Sequence, residues 1–167
     1  MKRRVPSLRV LALAPLFAAA AIAFAAPGAQ GQVNFGIHVA RASKTVNGAA
    51  NGLGASFDLK FPALPVDVMV AGDYFWPNCG TDTGCSYMGG GADVHFALPF
   101  PVLHPYALGG VVVRRAKADS AATAVSNDGL ALGVGVSLQG VALGAYGELR
   151  YEFVPSHPVV FRIGIRF

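Results

Sequence analysis

The last ten residues, Pro158 to Phe167, alternate without a break: Val159, Phe161, Ile163, Ile165 and Phe167 on one side, Val160, Arg162, Gly164 and Arg166 on the other. A two-residue period over this length predicts a strand with one apolar and one polar face. The pattern recurs upstream. From Gln32, Val33, Phe35, Ile37 and Val39 oppose Asn34, Gly36, His38 and Ala40. Between Gly52 and Phe61, Leu53, Ala55, Phe57, Leu59 and Phe61 oppose Gly54, Ser56, Asp58 and Lys60. Between Val66 and Trp76, Val66, Val68, Val70, Tyr74 and Trp76 oppose Asp67, Met69, Ala71 and Asp73.

Four further segments complete the series. From about Tyr87 to Leu98, Met88, Ala92, Val94, Phe96 and Leu98 oppose Gly89, Gly91, Asp93 and His95. Tyr106 to Arg115 is mostly apolar, and its facing is ambiguous. Leu130, Leu132, Val134, Val136 and Leu138 alternate with glycine, alanine and serine. Val141, Leu143, Ala145, Leu149, Tyr151 and Phe153 oppose Ala142, Gly144, Tyr146, Glu148, Arg150 and Glu152, and the closing segment follows. Eight segments of about ten residues each have the length a tilted strand needs to cross a bilayer.

The connections fall into two classes. Pro62 to Pro65, Pro99 to Pro105 and Gln139-Gly140 are short or proline-rich, the last short enough for a two-residue hairpin. Arg41 to Asn51, Pro77 to Cys85 and Ala116 to Asp128 are longer and polar and read as loops, whereas Val154 to His157 is short. Short turns at one end and longer loops at the other predict an all-β fold: an eight-stranded antiparallel up-and-down transmembrane β-barrel over residues 32–167. A soluble barrel would turn the large apolar face inward. Here the opposite face is dominated by Gly, Ala and Ser, which suit a narrow interior and leave the large residues for lipid. Tyr74, Trp76, Tyr151 and Phe153 at one end, and Phe61, Leu98, Tyr106 and Phe167 at the other, then form two interfacial girdles.

Charge sharpens this picture through its location. Lys2, Arg3, Arg4 and Arg9 precede an apolar run from Val10 to Ala26 that ends in small residues. This is the layout of a secretory signal peptide over residues 1–25, cleaved after Ala23-Phe24-Ala25 or as late as Gly31. Its loss removes four of thirteen basic residues and leaves nine against nine acidic ones. No basic stripe then remains to follow a phosphate backbone, so nucleic acid is not an expected partner.

Two pairs of segments carry a family likeness. Ala92-Asp93-Val94-His95-Phe96 with His104-Pro105-Tyr106-Ala107-Leu108-Gly109-Gly110, and Gly144 to Tyr151 with Phe161 to Phe167, resemble hairpins of small bacterial outer-membrane β-barrel proteins. The likeness to the outer membrane protein A and X barrels covers the whole mature chain. It implies an outer-membrane location, outer-membrane lipids and the barrel assembly machinery as partners, extracellular contacts through loops, and Phe167 as the terminal aromatic read during assembly. It is specific for architecture and silent on activity.

Candidate chemistry is sparse. Glu148, Arg150, Glu152, Arg162 and Arg166 share the inward faces of the last two segments. A hairpin centred near Ser156 would set Arg162 opposite Arg150, with Glu148 and Glu152 on the diagonals. Asp58, Lys60, Asp67, Asp73 and Asp93 could extend this lumen network. It reads either as a charged core that rigidifies the lumen or as an ion path. Cys79 and Cys85 enclose five residues, and in an exported chain this predicts a disulfide. The Gly-rich runs lack a phosphate-loop pattern and no cofactor is expected. Ser156-His157 has no evident orienting acid and makes a poor nucleophile and base. The expected function is therefore non-enzymatic, in envelope integrity or surface contact, with a narrow channel and a lipid-modifying enzyme as alternatives.

Overall fold

The computed structural model describes residues 32–61, 65–80, 85–98, 100, 102–118, 123–138 and 143–167. The leader with its cleavage sites and the Gln139-Gly140 hairpin lie outside the described residues. Eight strands follow in order: β1 (Gln32–Thr45), β2 (Gly48–Lys60), β3 (Val66–Trp76), β4 (Ser86–Ala97), β5 (Leu103–Lys117), β6 (Val125–Leu138), β7 (Gly144–Glu152) and β8 (Val159–Arg166). Each pairs antiparallel with its neighbour in sequence, and β8 returns to β1 to close the barrel. Ile37 faces Ile165 and Val39 faces Ile163 across that seam, and the Phe35 and Phe167 backbones exchange hydrogen bonds of 2.9 and 2.8 Å. Closure satisfies the edges that an open sheet would leave bare in hydrocarbon.

The alternation decides which side chains see lipid. Ile37, Leu132, Val134 and Ile163 are each more than half exposed, and they belong to a belt of bare aliphatic and aromatic side chains around the outside. Water would oppose so large a continuous apolar surface, whereas hydrocarbon accepts it. Near the loop end Tyr74 meets Trp76 and Tyr151 meets Phe153 edge to face, at 5.6 and 4.9 Å between ring centroids. The opposite end, which holds Gln32 and Phe167, exposes Phe35, Phe96, Leu98 and Phe167.

Several boundaries differ from the sequence reading. Arg41 to Asn51 is a continuation of the β1–β2 ladder, in which Arg41 faces Asn51 and Ala42 faces Ala50. Ala40, Ala42 and Ala50 turn inward, so the inner face is made of small residues and the outer one is polar. That inverts the apolar contrast by which a membrane strand is recognised, because here the hairpin rises past the bilayer. The chain reverses at Val46-Asn47, with Gly48 at a φ of 101° that L-residues rarely adopt. β5 and β6 likewise extend into the expected loop, as far as Lys117 and from Val125. Pro105 lies within β5, opposite Val136, not in the turn.

Candidate functional site

At mid-height the lumen is filled by charge. Arg162 on β8 donates from Nε and Nη2 to the two carboxylate oxygens of Asp73 on β3, at 3.0 and 2.6 Å, and from Nη1 to Glu148 at 2.9 Å. Arg114 on β5 donates from Nη1 to Asp73 at 2.8 Å, and from Nε and Nη2 to Glu152 at 2.8 and 2.5 Å. Arg150 on β7 grips Asp93 of β4 with both terminal nitrogens at 2.8 and 3.1 Å, and lies 3.4 Å from Glu152 and 3.8 Å from Glu148. All these side chains are almost fully buried, so three guanidiniums and four carboxylates share one water-poor layer. Such charges are tolerable only when each oxygen finds a donor, which planar forked guanidiniums supply in pairs.

Histidine and tyrosine side chains complete the layer. His38 Nε2 lies 2.9 Å from Asp73, and its Nδ1 lies 2.9 Å from the Tyr146 hydroxyl. The Tyr106 hydroxyl donates to Glu148 at 3.3 Å, and its ring stacks on His95 at 4.6 Å. Tyr106 therefore belongs to the lumen and not to an interfacial girdle. Its inward facing also resolves β5, which buries Tyr106, Leu108, Val112 and Arg114.

Glycine makes the room. Gly54 stands between His38 and Asp73 in the ladder, Gly89 between Asp73 and Arg114, and Gly135 between Tyr106 and Glu148. A Cβ at Gly54 would strike the His38 ring, at Gly89 the Arg114 side chain, and at Gly135 the Tyr106 ring. In a narrow barrel, a long side chain on one strand needs an empty position on the next. The lumen-facing glycines are therefore the complement of the charged residues.

The residues singled out from sequence divide into two groups. Glu148, Arg150, Glu152 and Arg162 meet in the layer. Arg166 stands apart near the C-terminus, 3.2 Å from Asp58, with its guanidinium 4.2 Å above the Tyr146 ring. The β7–β8 register differs from the one counted from sequence: Arg162 faces Glu148, and Arg150 faces Val160. The Val154–His157 turn centres the hairpin on Pro155, with His157 at a φ of 46° and its N–H donating to the Val154 carbonyl at 2.8 Å. The shift replaces opposed like charges by opposed opposite charges. Glu152 is held by Arg114 and Arg150. Arg114 is the residue that sequence reasoning missed. The adjacent Arg114-Arg115 pair in a strand was its signal, since one of two neighbours must face the lumen.

Above the layer, toward the loops, Phe75 and Tyr87 cover Arg114 at 5.4 and 5.9 Å from its guanidinium carbon, within an apolar cluster with Ala40, Ala42, Ala50 and Val160. Cys79 and Cys85 are joined by a disulfide in the β3–β4 connection, with Cα atoms 6.0 Å apart. Ser156 lines the loop-end mouth, whereas His157 stacks on Tyr151 at 6.0 Å, so the two neighbours diverge. Among the described residues no cluster of three or more His, Cys, Asp or Glu is arranged to hold a metal.

No family model and no curated protein matches the chain. Solved structures do. The N-terminal β-barrel domain of Pseudomonas aeruginosa OprF aligns with a TM-score of 0.61 at 16% identity, covering 83% of this chain and 98% of that one. Ail, the attachment invasion locus protein of Yersinia pestis, in complex with the heparin analogue sucrose octasulfate, aligns at 0.59 and 17% identity, covering 82% and 99%. Neisserial surface protein A aligns at 0.55 and 19% identity, covering 80% and 94%. The chain thus has the fold of the small bacterial outer-membrane β-barrels.

Proposed function

We propose that the chain is an integral outer-membrane protein that acts without catalysis: a sealed barrel that supports envelope integrity and presents its loop end for surface contact. The observation that carries this reading is the layer of Arg114, Arg150 and Arg162 with Asp73, Asp93, Glu148 and Glu152, which crosses the lumen from wall to wall. Its guanidiniums are held by fixed carboxylates, so an ion would have to displace buried hydrogen bonds to pass. In planar bilayers the purified protein should give no discrete conductance steps. Steady steps that change size in an Arg150→Gln variant would favour a channel instead. Expression should leave the mass of lipid A unchanged, and a mass shift lost on His157→Ala would favour an enzyme.

In this reading the chain termini lie on the periplasmic side and Phe167 serves as the aromatic recognised by the barrel assembly machinery. Its side chain is 59% exposed, while its backbone holds two ladder bonds to Phe35. Phe167→Ala therefore separates recognition from structure better than deletion does. The variant reaches the outer membrane in lower amount yet refolds normally in detergent, and normal membrane levels would count against the signal role. For surface contact, the sulfated sugar held by the Yersinia protein is a ready probe, because Arg41, Lys44 and Arg115 are exposed at the loop end. Salt-sensitive binding of sucrose octasulfate supports this part of the reading, and none removes it.

A further inference from the structure

The mouth of the barrel at the loop end holds a pocket of about 510 Å³, partly open to the outside. That size falls in the range of small-molecule sites, roughly 300–1,000 Å³. Its wall is built from Val46, Ala116, Val125 and Val154, interrupted by Thr45, Thr123, Asn127 and Ser156, and Tyr87 and Arg114 lie at its floor. Tyr87 is 2% exposed, and among the described residues its hydroxyl has no hydrogen-bond partner. Ser156 is its neighbour in the wall, but no hydrogen bond of good geometry joins the two hydroxyls. A buried hydroxyl left without a partner is costly, and a guest oxygen would remove that cost.

The surroundings restrict the guest. Arg114 already gives three N–H groups to Glu152 and Asp73. An anion at the floor therefore meets a filled partner. Among the described lining residues there is no carboxylate for a cation. The Tyr87 ring packs against Phe75, at 5.6 Å, and against the Arg114 guanidinium, at 5.9 Å.

We infer that this mouth binds a small uncharged amphiphile, its apolar body against the Val46–Val125–Val154 wall and a carbonyl, ether or hydroxyl oxygen accepting from the Tyr87 hydroxyl.

The test uses the full barrel purified into lipid nanodiscs, with γ-nonalactone as the neutral probe and nonanoate as its charged counterpart. Amide resonances of Ala116, Val125 and Val154 shift saturably with the lactone. Tyr87→Phe weakens the lactone about tenfold, the effect of one lost hydrogen bond. Ala118→Trp, at the pocket lip and outside the strand ladder, abolishes the shifts and decides the matter if the Tyr87 variant does not fold. Shifts that rise linearly and appear only at lipid-facing residues would overturn the site. Nonanoate binding as tightly as the lactone would overturn the uncharged class, and unchanged affinity in Tyr87→Phe would overturn the role of its hydroxyl.

Discussion

On β8, Phe161, Ile163 and Ile165 stand about half exposed on the outside of the barrel, while Val160 and Arg162, which alternate with them, are almost fully buried. The outer face meets a fluid solvent. Any apolar side chain of compatible size serves there, because lipid adapts to its shape. The inner face meets fixed partners on strands across the lumen, and there one atom in the wrong place leaves a buried charge without a donor. The same backbone thus carries a tolerant face and an exacting one, and substitutions can measure the difference.

The largest effect is expected at Arg162→Leu. It removes three hydrogen bonds from Asp73 and Glu148 without removing their charges, and breaking a buried pair on one side costs about 3–5 kcal/mol. The urea midpoint for unfolding in lipid should fall accordingly. Arg162→Lys should recover part of the loss, because it restores the charge but not the fork. A midpoint within error of wild type would mean that the layer is hydrated and not exacting.

A smaller effect separates two glycines. Gly89→Leu drives a side chain into Arg114 and the Val113 carbonyl and should cost about 1–3 kcal/mol, as overpacking does. At Gly147 an added Cβ meets nothing within 4 Å, and Gly147→Leu should change the same midpoint by less than about 0.5 kcal/mol. Equal costs at the two positions would erase the distinction between the faces.

The smallest effect is expected at the loop bridge. Cys79→Ser with Cys85→Ser leaves every strand pairing intact, so the unfolding midpoint should hold within about 0.5 kcal/mol while limited proteolysis cuts the β3–β4 connection faster. Global destabilisation would show that the bridge supports the barrel itself.

These contrasts explain what was legible in the chain. β3 matches its alternation from Val66 to Trp76 because large apolar residues sit at nearly every outward position. The upper parts of β1 and β2 were hidden, since Ala40, Ala42 and Ala50 face in while Arg41 and Asn51 face solvent beyond the lipid. Arg114 was obscured by the apolar run of β5, which buries Leu108 and Val112 as well. The composition of the charged layer was partly readable, but its pairing was not. Partners such as Asp73 and Arg162 are 89 residues apart, and even the neighbouring Glu148–Arg162 contact depends on a turn whose centre cannot be counted from the alternation.

The arrangement of these ties bears on how the barrel forms. Asp73 and Asp93 belong to β3 and β4, among the first four strands, whereas the guanidiniums that hold them come from β5, β7 and β8. Neighbouring strands can pair as they emerge, since their contacts are local in sequence. The cross-lumen ties, at separations of 41, 57 and 89 residues, can form only when the late strands come round to face the early ones. Until then the acidic and basic side chains need water. Drying of the lumen is thus coupled to the meeting of β8 with β1, and a half-closed sheet keeps its charges hydrated. The last strand thereby converts a row of reversible hairpins into a ring that is slow to reopen.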